Sequence, residues 1–137
     1  MNAASLRVDS IWLVGAMLVF ALVGLRARVR TARDVGGFVA TRLTLDVVEG
    51  SGHRRFQGLC PLLVGRARDC DLVLGDPEVS RRHARFDSDG EVVYVGDAGS
   101  SNGTFLNGHR LAAALEVRPG DEIDVGSTRL VYVGSEQ

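Results

Sequence analysis

The sequence predicts an all-β domain of the sandwich class, preceded by one membrane-spanning helix. Two observations predict the sandwich: apolar and polar residues alternate with a period of two beyond about residue 41, and turn-forming residues separate the short apolar runs. A third observation predicts the helix, because residues 11–25 form an apolar run without a charge. We therefore divide the chain into an N-terminal segment (1–25), a linker (26–40) and a domain (41–137).

The first and last strands of the domain show the clearest alternation. Leu43, Leu45 and Val47 alternate with polar residues, as expected for a strand with one buried face. The segment 92–97 continues this pattern, and 130–133 is interpreted as the closing strand. Shorter apolar runs predict further strands at 56–59, 62–65, 72–74, 83–86, 104–106 and 115–117.

Turn-forming residues lie between these runs, at 49–52, 75–77, 87–90, 107–108 and 119–121. Asn107-Gly108 is the strongest hairpin signal among them, because both residue types accept a positive φ. Many short strands joined by turns rich in Gly, Asp and Asn indicate a β-sandwich.

The apolar N-terminal run is predicted to be a single transmembrane helix over about residues 8–25. A cleaved signal peptide would need a basic start, but only Arg7 precedes the run and Asp9 offsets it. A buried core helix is a third alternative, for which the domain offers no helical partner. The positive-inside rule predicts that the four arginines after the run lie in the cytoplasm: Arg26, Arg28, Arg30 and Arg33. The expected location is the plasma membrane, with the N-terminus outside and the domain in the cytoplasm.

Charge is unevenly distributed along the chain. Residues 1–33 carry five arginines and one aspartate (+4), and residues 34–137 carry 11 arginines and 16 acidic residues (−5), which gives the net charge of −1. A mildly acidic domain argues against a nucleic-acid partner, which would require a broad basic face. The basic residues of 26–40 and its Gly36-Gly37 pair are typical of a linker. The use of Arg for every basic residue, with much Ala, Gly and Val, suggests a GC-rich bacterial genome.

Cys60 and Cys70 are too few, and too irregularly spaced, to indicate a metal site or a disulfide framework. Neither a metal nor a cofactor is predicted.

Three short motifs together suggest a site that holds a phosphate. They are Gly65-Arg66, then Ser80-Arg81-Arg82-His83, then Ser100-Ser101-Asn102-Gly103-Thr104, and Asn107-Gly108 follows them. Arginine offers a permanent charge and forked planar donors, and small hydroxyl groups supply further hydrogen bonds. A catalytic pair of Ser80 and His83 is the competing interpretation, but no oxyanion hole or substrate cleft is evident, so an enzyme is not expected.

These motifs, in this order, resemble the forkhead-associated (FHA) family, and the match runs from about Leu43 to Val133. The resemblance implies a two-sheet β-sandwich of about eleven short strands, with its binding loops at one end. It implies that five residues contact a phosphopeptide: Arg66, Ser80, Arg81, Ser101 and Asn102. It further implies that six residues support the binding loops: Gly65, His83, Gly103, Thr104, Asn107 and Gly108.

The function implied by this resemblance is binding of a phosphothreonine-containing peptide or protein. Together with the predicted anchor, it suggests a membrane-tethered adaptor that acts with a Ser/Thr protein kinase, in cell-envelope growth, division or secretion. The alternative is a membrane scaffold or self-association module whose contacts do not depend on phosphate.

Overall fold

The computed structural model describes residues 40–137, and all structural statements below concern this range. The predicted transmembrane helix at 8–25 and most of the linker lie outside the described residues. Within 40–137, no helix has the length and apolar character needed to span a membrane.

The domain consists of eleven β-strands in two sheets. The strands are β1 (Arg42–Glu49), β2 (Gly52–Leu59), β3 (Leu62–Gly65), β4 (Leu72–Val73), β5 (Ala84–Ser88), β6 (Val93–Asp97), β7 (Thr104–Leu106), β8 (His109–Arg110), β9 (Leu115–Val117), β10 (Glu122–Val125) and β11 (Thr128–Glu136). Sheet 1 has the order β2-β1-β11-β10-β7-β8, and sheet 2 has the order β4-β3-β5-β6-β9. The predicted all-β, two-sheet sandwich of about eleven strands is confirmed.

The period-two pattern of the sequence places one face of each central strand in the core. In β1, Leu43, Leu45 and Val47 are fully buried, while Arg42 is exposed. Phe86 of β5 in sheet 2 and Ile123 of β10 in sheet 1 belong to the same core and have no exposed surface. Burial of large aliphatic and aromatic side chains stabilises the sandwich by about 1.5–3 kcal/mol for each residue.

Some strands differ from the sequence prediction. Strand β2 begins at Gly52 rather than at residue 56, because the charged residues His53, Arg54 and Arg55 pair with β1 as an exposed edge strand. Charged side chains are common on such edges, since they discourage pairing with another chain. Strands β8 and β10 were not predicted from the sequence, because they are short and rich in polar residues.

Sheet 2 brings the three sequence motifs to one end of the sandwich. Strand β3 ends at Gly65, where its antiparallel neighbour β5 begins, with Val64 opposite Ala84. Strand β6 ends at the same place, since Ala84 is also opposite Asp97. The loops that leave these strand ends are therefore neighbours in space although they are far apart in sequence.

Candidate phosphate-binding site

Three loops form an open cleft of about 620 Å³ at this end of the sandwich. They are the β3–β4 loop (66–71), the β4–β5 loop (74–83) and the β6–β7 loop (98–103). We call this space the phosphate cleft. Arg66, Ser80, Arg81 and Ser101 line it, so four of the five predicted contact residues lie together.

Arg66 is fixed at its base and free at its tip. Its amide donates to the Ser80 carbonyl at 3.0 Å, and its Nε donates to the Val79 carbonyl at 3.2 Å. Within residues 40–137, neither terminal nitrogen of this guanidinium has a hydrogen bond or an ion pair. Two parallel donors with a permanent charge are therefore available to an anion in the cleft.

Gly65 allows the β4–β5 loop to pass close to the end of β3. A Cβ atom at this position would lie 2.2 Å from the Arg81 carbonyl oxygen and 2.8 Å from its carbonyl carbon. These contacts are with backbone atoms, so any side chain at position 65 would force the loop to move. The absence of a side chain is thus what keeps Ser80 and Arg81 beside Arg66.

Ser80 and Ser101 connect two of the loops. The Ser80 hydroxyl oxygen accepts a hydrogen bond from the Ser101 amide at 3.0 Å. The hydroxyl proton of Ser80 and the hydroxyl group of Ser101 make no hydrogen bond within the described part of the chain. Both serines therefore retain donors for a ligand.

His83 is buried beneath these loops and holds two of them. Its Nδ1 accepts a hydrogen bond from the Ser80 amide at 3.0 Å, and its Nε2 lies 2.8 Å from the Gly103 carbonyl oxygen. Because an amide can only donate and a carbonyl can only accept, the ring is the neutral tautomer that carries its proton on Nε2. Both ring nitrogens are occupied by backbone groups, so His83 cannot act as a general base towards the Ser80 hydroxyl.

Asn102 lies at the edge of the cleft and is not among its lining residues. Its side-chain Nδ2 donates to the Glu78 carbonyl at 3.2 Å, which joins the β6–β7 and β4–β5 loops. Its Oδ1 makes no hydrogen bond within residues 40–137. The amide is thus oriented by the protein and still offers an acceptor for the main chain of a ligand.

Gly103 follows Asn102 with a φ of 87°, in the left-handed region that favours glycine. A Cβ atom here would lie 2.8 Å from the Nε of Arg110. The exposed Arg110 guanidinium therefore packs directly over Gly103. Sequence reasoning missed Arg110, because only the β7–β8 pairing brings it beside this loop.

Asp97 organises the β6–β7 loop and was also missed. Its carboxylate accepts from the amides of Gly99 and Ser100, each at 3.0 Å, and from the hydroxyl groups of Ser100 and Thr104. Loss of hydration raises the pKa of Asp97, but these hydrogen bonds outweigh it and hold the pKa below the ordinary value. The spacing Asp97-x-x-Ser100 is a common turn motif and was the available signal.

Asp76 fixes the β4–β5 loop from the other side. It is buried, and it accepts hydrogen bonds from the amides of Glu78 and Ser127 and from the Thr128 hydroxyl. Burial raises its pKa, but the hydrogen bonds prevail and lower it overall. This contact explains why the loop packs on the turn at Gly126, where a Cβ atom would lie 2.9 Å from the Glu78 carbonyl carbon.

Positive charge is concentrated at the cleft although residues 40–137 carry 11 arginines against 15 acidic residues. Arg66 and Arg81 line the cleft and have no ion pair within this range, whereas Arg82 is bound to Asp69 at 2.9 Å. Unpaired arginines on two adjacent loops attract a doubly charged anion.

Asn107 and Gly108 lie away from the cleft. Their φ values of 48° and 83° form the turn between β7 and β8, as the hairpin signal predicts. The Asn107 side chain also bonds to Asp121 and to the Glu122 amide, so it joins β10 to this hairpin. Thr104 is buried and donates to Asp97 at 2.8 Å.

The geometry defines a binding module with preformed donors for an anion. Comparison with known proteins gives the same class: the FHA domain model matches residues 62–126. The FHA domain-containing protein FhaB of Mycolicibacterium smegmatis is 37% identical over 123 residues, covering 90% of this chain and 79% of that protein. This chain belongs to the family of FHA domain proteins.

Two further similarities extend this result. The glycogen accumulation regulator GarA of Mycolicibacterium smegmatis is 44% identical over 69 residues, which cover 50% of this chain and 43% of that protein. A solved FHA domain from a study of phosphothreonine-dependent interactions aligns with a TM-score of 0.63 and 31% identity, over 70% of this chain and 99% of that one.

Proposed function

We propose that this protein is a membrane-tethered adaptor that binds phosphothreonine-containing proteins in Ser/Thr kinase signalling and has no catalytic activity. One observation carries the proposal: the phosphate cleft presents unpaired donors of Arg66, Ser80 and Ser101 on loops that hydrogen bonds to buried side chains hold in place. Such a site favours holding a phosphate group over breaking a bond.

The phosphate of a phosphothreonine carries nearly two negative charges and three acceptor oxygens at neutral pH. The two terminal nitrogens of Arg66 match two of these oxygens, and the hydroxyl groups of Ser80 and Ser101 provide further donors. Arg81 adds attraction at the rim of the cleft. Asn102 offers its Oδ1 to a main-chain amide of the bound peptide, which fixes the position of the peptide relative to its phosphate.

The comparisons support this assignment. Besides the phosphothreonine-dependent domain above, the FHA domain of FhaA is known in complex with the intracellular domain of a second protein. The FHA domain of FhaA is 33% identical to this chain and aligns over 66% of it with a TM-score of 0.60. A phosphorylated protein and a Ser/Thr kinase that modifies it are therefore the partners we propose.

The membrane tether is proposed from the sequence. Residues 8–25 are apolar, and the arginines of 26–33 favour a cytoplasmic domain. The similarity to FhaB covers 123 residues, more than the 98 residues from 40 to 137, so it extends into the N-terminal segment. A tether would raise the effective concentration of the domain near membrane kinases. We place this activity in cell-envelope growth, division or secretion.

The binding function is tested with a soluble fragment, residues 34–137. Calorimetric titration with one peptide carrying threonine, phosphothreonine or phosphoserine should give binding to the phosphothreonine form only. Equal binding of the unmodified peptide would contradict the proposal and favour a phosphate-independent scaffold.

The tether is tested separately on the full chain. When cells are fractionated, the protein should be recovered with the membrane. In a separate experiment, protease added to the outside of intact cells should leave the domain uncleaved. Recovery in the soluble fraction, or cleavage of the domain from outside, would exclude the proposed arrangement.

A further inference from the structure

Strand β2 is the long edge strand of the described sandwich. Each sheet has two edge strands, which are β2 and β8 in sheet 1 and β4 and β9 in sheet 2. Three of these strands are two or three residues long, whereas β2 has eight residues. A very short edge strand protects a sheet from pairing with another chain, because it offers few free backbone groups. Strand β2 lacks this protection, and within residues 40–137 no strand covers its outer edge.

Strand β2 is also regular along its whole length. It pairs with β1 from Gly52, opposite Glu49, to Leu59, opposite Arg42, without a shift in register. It contains no proline, and no bulge interrupts its pairing with β1. Proline and bulges are two other common ways in which an edge strand is blocked. The outward N–H and C=O groups of β2 therefore form an uninterrupted row.

The two arginines of β2 are held by their own domain. Arg55 donates to the carboxylate of Asp46 on β1, from Nε at 2.7 Å and from Nη2 at 3.1 Å. Arg54 donates from Nη2 to the Val73 carbonyl of β4 at 3.0 Å. Both guanidinium groups are thus directed to neighbouring strands of the same domain. The charges of β2 therefore restrict the register of an approaching strand, because like charges must not lie opposite each other, but they leave the edge open.

The order of residues in β2 favours antiparallel pairing with a second copy of the same strand. Its basic residues, 53–55, precede Phe56, and its uncharged residues, 57–59, follow it. In a symmetric antiparallel pair, residues at equal distances from the two-fold axis lie opposite each other. With the axis at Phe56, every basic residue lies opposite an uncharged residue of the second copy: His53 opposite Leu59, Arg54 opposite Gly58, and Arg55 opposite Gln57.

Other registers are less favourable. An axis at Arg54 or Arg55 would place an arginine opposite its own copy, which destabilises a strand pair. An axis at Gln57 would keep the arginines apart, but it would pair only residues 55–59 of the strand, whereas the axis at Phe56 pairs residues 53–59. The axis at Phe56 therefore combines the longest pairing with no opposed arginines.

We propose that two copies of this protein associate through antiparallel pairing of their β2 strands about Phe56. The pairing joins two copies of the six-stranded sheet 1 into one continuous sheet. The turn before β2 lies at the cleft end of the domain, since Glu49 accepts a hydrogen bond from the Gly75 amide of the β4–β5 loop at 2.7 Å. Because the paired strands run in opposite directions, the two phosphate clefts lie at opposite ends of the joined sheet. The association does not depend on phosphate.

Disulfide cross-linking of the full-length chain in detergent tests the register. Cys60 and Cys70 are replaced by alanine, and His53→Cys and Leu59→Cys are introduced into separate preparations. Directly opposite residues of antiparallel strands have Cα atoms about 4.5–5.5 Å apart, a distance that a disulfide spans. A mixture of the two variants should form a cross-linked dimer on oxidation with copper phenanthroline. Each variant alone should not, because identical residues of the two copies would lie about 20 Å apart.

Two substitutions at Gln57 test the charge pattern, because their expected effects have opposite signs. Gln57→Arg places an arginine opposite Arg55 of the second copy, and the two-fold axis repeats this contact, so the dissociation constant of the dimer should rise about tenfold. Gln57→Glu places a carboxylate there and should lower the constant about threefold. Sedimentation equilibrium of the full-length chain in detergent measures both. Val133→Arg is the matched control, since it adds the same charge at an exposed position of an inner strand, and it should change nothing.

Three results would each overturn the inference. They are a wild-type chain that sediments as a monomer at every concentration, a mixture that cross-links no better than either variant alone, and a shift in the same direction for Gln57→Arg and Gln57→Glu. The last result would assign the association to another surface of the chain. Peptide binding is measured separately, so none of these results alters the proposed function, and a failure to bind phosphothreonine would leave the dimer unaffected.

Discussion

The rim of the phosphate cleft and the layer beneath it use polar residues in opposite ways. The rim consists of Arg66, Ser80, Arg81, Ser101 and Asn102, which keep donors or acceptors without a partner in residues 40–137. The support layer consists of Asp76, His83 and Asp97, whose polar atoms are engaged by the protein itself. No buried side-chain nitrogen or oxygen of the described residues lacks a hydrogen bond.

This difference separates binding from folding. A support residue uses all its polar atoms in bonds that exist without a ligand, whereas a rim residue also keeps donors or acceptors that are used only when the ligand binds. Substitutions in the rim should therefore change affinity much more than they change the free energy of unfolding. Substitutions in the support layer should change both.

The largest effect is expected in the rim, for Arg66→Ala. This variant removes the charge and both free donors, so affinity for a phosphothreonine peptide should fall at least about a hundredfold. Arg68→Ala is the matched control, because it removes the same charge two residues away, outside the lining of the cleft. Calorimetry should show the loss for Arg66→Ala alone, and equal affinities of the two variants would refute the assignment of the rim.

The next effect is expected in the support layer, for His83→Ala. The variant leaves a cavity, an unpaired Ser80 amide and an unpaired Gly103 carbonyl, which together should cost about 3 kcal/mol of stability. Urea unfolding of fragment 34–137 measures this cost, with the exposed His109→Ala as the control. Peptide affinity should fall as well, since both loops lose their attachment. Weaker binding at unchanged stability would place His83 in the rim instead.

Gly65→Ala tests how the layers are joined. The added Cβ would lie 2.2 Å from the Arg81 carbonyl oxygen, so the loop must move, at a cost of about 1–3 kcal/mol. Affinity should fall together with stability. Gly134→Ala is the control, because a Cβ there meets nothing within 4 Å. A Gly65→Ala variant with wild-type unfolding and binding would show that the close approach does not position the rim.

Much of the rim could be predicted from the sequence, because its residues lie in compact motifs. Gly65-Arg66 and the run from Ser100 to Thr104 can each be recognised within a few consecutive residues. The Asn107-Gly108 turn depends only on local φ preferences. The sandwich was predictable for a similar reason, since the alternation at Leu43, Leu45 and Val47 is visible within one strand.

The contacts of Asp76 and Arg110 were harder to predict, because they depend on distant pairings. Asp76 accepts a hydrogen bond from the Ser127 amide, 51 positions away in the sequence, and no local motif near either residue predicts this contact. Arg110 reaches Gly103 only through the β7–β8 register. Sequence patterns identify surfaces that are assembled locally and miss those assembled by the fold.

The smallest effect is expected for the pH dependence carried by Asp97. Hydrogen bonds hold its pKa below the ordinary value in the folded domain, so the stabilisation it provides is complete above that value and is lost as the pH falls through the folded pKa. Asp97→Asn removes an acceptor oxygen for the amides of Gly99 and Ser100 and removes the titration. Stability at pH 7 should decrease by about 1 kcal/mol, and its further loss below about pH 4 should be shallower than in the wild type.

Urea unfolding at a series of pH values measures both quantities. The control is Glu136→Gln, because the Glu136 carboxylate makes no hydrogen bond or ion pair with the rest of residues 40–137. If the loss of stability at acid pH is the same in Asp97→Asn as in the wild type, other carboxylates cause that loss. Asp76 is the next to test, because hydrogen bonds of the same kind lower its pKa. Asp97 would then act on the rim through the shape of the β6–β7 loop alone. The variant would weaken peptide binding at every pH without altering the acid dependence of folding.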